Sequence, residues 1–477
     1  MNPTFLRTSS LALAALVSAC AGGPAYQRPD VTLPAHWQAG AAPATSASPA
    51  WWSEFESPEL NRLIVAALEG NRDLKAAGSR IDQARALAQI NGANLLPALG
   101  VSAEIARDKR AGAPAAPKHT AGLSASFDVD VWGKNRQSNV AALGRVQSSV
   151  HAQQSVQLAL QAEVAGTYFR ALSARDQLAA ARNTVRNTEA VLRRLQAQHA
   201  AGAISGLEVV RQQGLVASVS AAIAPLEQQR QQALDALAVL LGRHPQDLAE
   251  LADLTDLTLA TAPLDALRLP PVAAGLPSSL LAQRPDIRQA EADLVAANAD
   301  INAARAALFP SLRLTAAGGV ESASLAALLR PGSLVYALAA GLTAPLFDGG
   351  RLRGQVALTQ ARQDELVQVY QQAILIALRE VEDSLNAAQR LAEQAAAQQQ
   401  VSAHAATALR MAELHYRDGG VDFGAVLDAQ RVLLAAQAAQ QTITLARYAA
   451  AIALYRALGG GSDAAAQLSM NVPAPSQ

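Results

Sequence analysis

Tyr416-Arg417-Asp418-Gly419-Gly420-Val421-Asp422-Phe423 breaks a run of helical periodicity that extends from about Gly349 to Leu458. The upstream part contains no proline, and downstream Val426-Leu427-Asp428-Ala429-Gln430-Arg431 opens a second amphipathic stretch. Paired glycines supply the positive φ angles that let a chain end a helix and turn back. A close echo stands earlier, at His199-Ala200-Ala201-Gly202-Ala203-Ile204-Ser205-Gly206-Leu207, followed by Val209-Val210-Arg211-Gln212-Gln213. The break is one of a pair, and the chain reads as a repeat.

Other landmarks keep the register. Leu95-Leu96-Pro97-Ala98-Leu99 returns as Leu308-Phe309-Pro310-Ser311-Leu312, with Pro310 in the place of Pro97. A single offset, close to the one between those prolines, carries Gly133 onto Gly350, Gly202 onto Gly419 and Gly242 onto Gly459. Agreement at four places predicts a tandem duplication of helix, two strands, long helix, break and helix. The first repeat covers 58–245. Its helices are expected over 58–92, over 133–201, which at about 1.5 Å per residue would reach roughly 100 Å, and over 207–241. The second repeat covers 277–461, with helices over 278–308, 349–416 and 423–458. A Leu/Asp/Thr/Pro-rich segment at 246–276 connects the two, and 462–477 is a tail. In each repeat the two shorter helices together match the long one in length, which suits a long helical sheath.

Between the helices the period changes from helical to two. Leu99, Val101, Ala103 and Ile105 alternate with Gly100, Ser102, Glu104 and Ala106, and Leu123, Ala125, Phe127, Val129 and Val131 with Ser124, Ser126, Asp128 and Asp130. Leu312, Leu314, Ala316 and then Leu334, Tyr336, Leu338, Ala340 and Leu342 repeat the pattern. Two strands are therefore expected within about 98–131 and two within about 311–347. Their length suits a transmembrane strand, and the same alternation also suits a half-buried hairpin of a soluble domain. Four strands cannot close a barrel, and lipid does not tolerate an open edge, so membrane strands would require oligomerisation. A dimer gives eight strands with a filled interior; a trimer gives twelve and room for water. Glu104, Asp128 and Asp130 suit a wet interior.

Composition narrows the function. The 477 residues balance 39 Lys plus Arg against 39 Asp plus Glu, so no basic excess attracts nucleic acid. Alanine, glutamine and leucine abound while aromatics make up only 4%, as in long helices. Arg7, the apolar stretch Leu11 to Val17 and the small residues before Cys20 read as a secretory signal too short to span a membrane. A lone buried thiol is the alternative. Val17-Ser18-Ala19-Cys20 resembles a bacterial lipobox, which implies a signal peptide over 1–19, acylation of Cys20, a lipid-anchored tether over 20–57 and, with Ala21 next, sorting to the outer membrane. The only cysteine leaves no internal disulfide.

The chain resembles the outer-membrane factors of TolC type, specifically the NodT-like lipoproteins, over nearly its whole length. The resemblance rests on the lipobox, Gly23-Pro24-Ala25-Tyr26-Gln27-Arg28-Pro29, Trp51-Trp52, Gln283-Arg284-Pro285-Asp286-Ile287, Phe309-Pro310, Leu346-Phe347-Asp348-Gly349-Gly350-Arg351, Glu380-Val381-Glu382-Asp383, Tyr416-Arg417-Asp418-Gly419 and Leu427-Asp428-Ala429-Gln430. It implies a mixed α/β membrane protein: a homotrimer with a twelve-strand outer-membrane β-barrel continuous with a twelve-helix periplasmic α-barrel. It further implies a passive exit duct that docks a periplasmic adaptor and an inner-membrane transporter. The gate would lie at the two turns, with Tyr416, Asp418, Asp422, Asp428, Gly419 and Gly202, and Asp428 would contribute to an acidic ring attractive to cations. A solvated helix residue is the plain alternative for Asp428. This sequence departs from some members at Val421, Gly424 and Ala425, which leaves a leakier gate or one held by other contacts.

No cofactor, metal or catalytic constellation is expected. His36, His119, His151, His199, His244, His404 and His415 show no ligand spacing. Gly349-Gly350-Arg351-Leu352-Arg353-Gly354 lacks the glycine that a dinucleotide fingerprint needs where Arg351 stands. Glu380, Glu382 and Asp383 fit a solvated helix face. A coiled-coil adaptor would lack the four strands, and an envelope hydrolase would need a nucleophile and base that do not assemble here. A Gln-rich tunnel does not name its cargo.

Overall fold

The computed structural model describes residues 24–38, 50–109, 111, 114–247, 263–271 and 275–460. Cys20 and the signal segment, most of the connecting segment and the tail from 461 lie outside these residues. Among the described residues eight long helices carry the fold: α1 Pro58–Gly70, α2 Arg72–Ala93, α3 Lys134–Ala200, α4 Gly206–Ala221, α5 Ile223–Leu240, α6 Pro285–Ala306, α7 Arg351–Arg417 and α8 Phe423–Ala457. Four strands, β1 Ala98–Asp108, β2 Ala116–Val129, β3 Ser311–Ser322 and β4 Leu334–Thr343, make one antiparallel sheet in the order β1-β2-β3-β4. Among the described residues no helix is long and apolar enough to cross a membrane.

Three helices expected to be continuous are interrupted. The 58–92 stretch breaks at Asn71, whose extended backbone ends α1 and whose Oδ1 accepts the Leu74 amide at 2.9 Å to start α2. The 207–241 stretch breaks at Ala222, because Pro225 in the first turn of α5 has no N–H to continue the ladder. The 278–308 stretch breaks at Arg284, held extended (ψ 122°) by the proline that follows and opens α6. Asn71 and Arg284 are separated along the chain as Pro97 and Pro310 are, so these two breaks obey the duplication.

The chain divides into two compact units. One comprises the described residues of 1–31 with 78–152 and 288–373, and includes the sheet. Its register places Leu99, Val101 and Ile105 opposite Ala125, Leu123 and His119, then Leu123, Phe127 and Val129 opposite Gly318, Leu314 and Leu312. Leu312, Ala316 and Gly318 in turn face Leu342, Leu338 and Tyr336. Partners across a ladder share a face, so nearly all the large apolar side chains of the four strands line one side. Tyr336 is 82% exposed and Leu99 83% exposed on that side. The other side carries Glu104 and Ser124, with ion pairs between Arg313 and Asp128 (3.0 Å) and between Lys118 and Glu321 (3.1 Å). Asp130, expected on the wet face, instead accepts the amides of Asn135 (2.9 Å) and Arg136 (2.8 Å) and caps α3. Asp348 does the same for α7 through Gly350 and Leu352.

The second unit comprises the described residues of 32–77, 153–287 and 374–477. Its core is aromatic: Trp51 stacks on Tyr455 at 5.2 Å, and Phe169 meets Tyr448 at 4.6 Å and Phe55 at 5.1 Å. Tyr168, fully buried, donates to Glu59 Oε2 at 2.9 Å. Arg284 is also buried and fully engaged, with Asp286 in a bidentate pair, Glu380 at 2.7 Å and the Ala457 carbonyl at 2.9 Å.

Candidate functional site

The two turns expected to be the gate fall within the second unit and are built alike. Gly202 and Gly419 both adopt φ +76°. At each, the glycine's own amide and the one after it donate back to the helix: Gly202 to His199 O and Ala203 to Gln198 O, both 2.9 Å; Gly419 to Tyr416 O at 3.1 Å and Gly420 to His415 O at 2.8 Å. This is the Schellman termination, and it needs a left-handed residue where each glycine stands. Each returning helix then restarts on a polar residue. Asp422 caps α8 by accepting the Ala425 amide at 3.1 Å, and Ser205 precedes α4.

An apolar cluster joins the turns. Leu195 and Leu215 from the first pack with Phe423, Val426 and Leu427 from the second, flanked by Ile204, Val209 and Tyr416. The Tyr416 ring lies 5.3 Å from Phe423, and its hydroxyl donates to Glu208 Oε2 at 2.7 Å across the pair. Burial, reinforced by the Glu208 carboxylate, pushes the Tyr416 hydroxyl up to about 12. Gln212, wholly buried, donates to the Thr188 carbonyl at 2.8 Å and ties α4 to α3.

Six residues were expected at this site. The structure brings Tyr416, Gly419, Asp422 and Gly202 into the paired turns, with Asp422 occupied as a helix cap. Asp418 is exposed. Asp428 is exposed too, 3.6 Å from Arg431 one turn on, an arrangement that contributes little in water. Sequence reasoning missed Glu208. The offset that carries Gly202 onto Gly419 also carries Glu208 onto Ala425, so the acid absent from the second turn stands at the equivalent place on the first. Gly424 leaves room as well, since a Cβ there would meet Arg211 Nη1 and Asp422 Oδ1 at 3.2 Å.

Among the described residues no group of three or more His, Cys, Asp or Glu side chains converges as a metal site would. The geometry is that of a helical joint, closed by a hydrogen bond and an apolar seam. The model of the family described as outer membrane efflux protein matches the chain twice, at 63–243 and 276–460, once in each repeat. The chain belongs to the outer membrane efflux protein family. Its relatives in that family include the pyoverdine export outer membrane protein OpmQ of Pseudomonas aeruginosa, 40% identical over 94% of this chain and 95% of that protein. The toluene efflux pump outer membrane protein TtgF of Pseudomonas putida is 35% identical over 95% and 96%. Among solved structures, the open state of the MtrE outer membrane channel of Neisseria gonorrhoeae matches with a TM-score of 0.83 and 31% identity, over 93% of this chain and 98% of that one. An outer membrane efflux protein of this kind is the channel component of an efflux pump, located in the outer membrane and reaching into the periplasm.

Proposed function

We propose that three copies of this chain form a passive exit duct, in which twelve strands close an outer-membrane β-barrel continuous with a twelve-helix periplasmic α-barrel. The observation that carries this reading is the sheet: one apolar face, one polar face with paired charges, and two edges, β1 and β4, without a partner strand among the described residues. Lipid admits no open edge, and joining β1 of one copy to β4 of the next removes every edge at once. The apolar face then meets lipid and the polar face meets water. Acylation of Cys20 anchors the N-terminus in the same membrane.

The paired turns serve as the gate. Tyr416 and Glu208 latch one turn to the other, Gly202 and Gly419 allow the reversal, and Asp418, Asp422 and Asp428 make the mouth acidic and attractive to cations. A periplasmic adaptor docks the helices, and an inner-membrane transporter supplies the energy and selects the cargo. Pyoverdine and toluene, in the names of two relatives so similar to this chain, fit a duct that leaves the choice to its transporter.

Heat-modifiable migration on gels combined with single-channel recording of the purified protein tests the duct. A band that shifts on boiling and discrete conductance steps are expected; a monomer that does not conduct overturns the proposal.

A further inference from the structure

In the sheet-bearing unit, α3, α6 and α7 line an open cavity of about 650 Å³. Three of its lining side chains are cationic, Lys134 and Arg145 from α3 and Arg362 from α7, and two are acidic, Asp300 of α6 and Glu365 of α7. Arg145 and Asp300 are already paired with each other. Lys134, Arg362 and Glu365 enter no ion pair among the described residues. Even with both acids ionised the group is net positive. Burial raises the Asp300 pKa, and Arg145 and Arg362 pull against that rise.

The side of the wall on which this cavity opens follows from the N-terminal segment. Pro24 accepts Asn298 Nδ2 at 3.2 Å and Asn302 Nδ2 at 3.4 Å, and Arg28 makes a bidentate pair with Glu291 at 2.7 Å, so residues 24–28 lie along one face of α6. At 3.6 residues per turn, Asp300 is about 200° around the helix from Asn298, on the opposite face. A segment that starts four residues from an acylated Cys20 reaches the bilayer and runs outside the duct wall. The opposite face, with the cavity, is then luminal.

We propose that this cavity is an anion site inside the duct, where Lys134 and Arg362 draw a di- or trivalent carboxylate or phosphate group of the passing cargo to the wall below the strands. The proposal rests on the trimeric duct reading. Threefold symmetry would repeat the cluster around the lumen, and rings of Lys and Arg favour anions in pores.

Inorganic pyrophosphate is the probe, titrated calorimetrically into the detergent-purified full chain. Binding is expected for the wild type, weakened at least about tenfold in Lys134→Gln/Arg362→Gln, where both of the attracting charges are removed. Arg85→Gln, which removes a positive charge from the exposed side of α2 and lines no part of the cavity, should bind as the wild type does. No binding to the wild type, or equal binding to the double variant, overturns the site. Conductance of the same samples separates the readings: a trimer that conducts without binding pyrophosphate overturns the anion site alone, and a protein that neither conducts nor binds overturns both.

Discussion

Replacing Tyr416 with phenylalanine would keep the ring against Phe423 and remove only the hydroxyl that reaches Glu208. The expected cost is about 1 kcal/mol at the joint, the lower end for a charge-assisted bond that is partly exposed. Open probability in single-channel traces should rise, and Glu208→Gln should raise it less, because the amide still accepts. Alkali titrates the same bond. The folded hydroxyl titrates near 12 rather than 10.0, so the contact is fully present below pH 10 and is lost as the pH climbs through about 12. Asp428→Ala should reduce cation preference in reversal-potential measurements, and unchanged selectivity counts against the acidic ring. Arg284→Gln would strand Asp286 and Glu380 against a buried amide, at a cost of about 3 kcal/mol that thermal unfolding would register. Tyr416 and the glycines were legible in the sequence because a helix break is a local event. Glu208 was not, since a glutamate on an amphipathic helix looks solvated until a partner 208 residues away is folded against it.

Among the elements, the strands were the easiest to read and the helix interruptions the hardest. Period-two alternation needs only the strand's own residues, so the apolar faces could be listed before the register was known. The break between α1 and α2 has no such signature, because the stripe continues on both sides and the cause is tertiary. A Cβ on Gly70 would come within 2.1 Å of the Leu241 carbonyl oxygen, and one on Gly242 within 2.3 Å of the Gly70 oxygen. Two helix ends cross there with only backbone between them. The second repeat crosses at the matching place, where a Cβ on Gly459 would come within 2.7 Å of the Gln283 carbonyl oxygen. Gly70→Ala should therefore destabilise the fold by about 2 kcal/mol or more through overpacking. Gly202→Ala has open space around it and should cost about 1 kcal/mol, from its left-handed φ alone. Chemical denaturation of both variants checks the order.

At the scale of the whole molecule, the sheet decides what a single copy lacks. A charge on the apolar face, as in Leu338→Arg, should cost about 2–4 kcal/mol if the side chain lies near the bilayer midplane, and less near either surface. Thr120→Arg, on the opposite face, should leave the heat-modifiable band intact. The two bare edges also carry a genetic consequence. In the proposed ring, sewn from three identical seams, a subunit with one good edge and one damaged edge would still recruit neighbours and spoil the ring it joins. Co-expressed at equal dosage with the normal allele, it would leave only about one assembly in eight free of it. The damaged allele should therefore behave as dominant, with export in the mixed strain falling far below half.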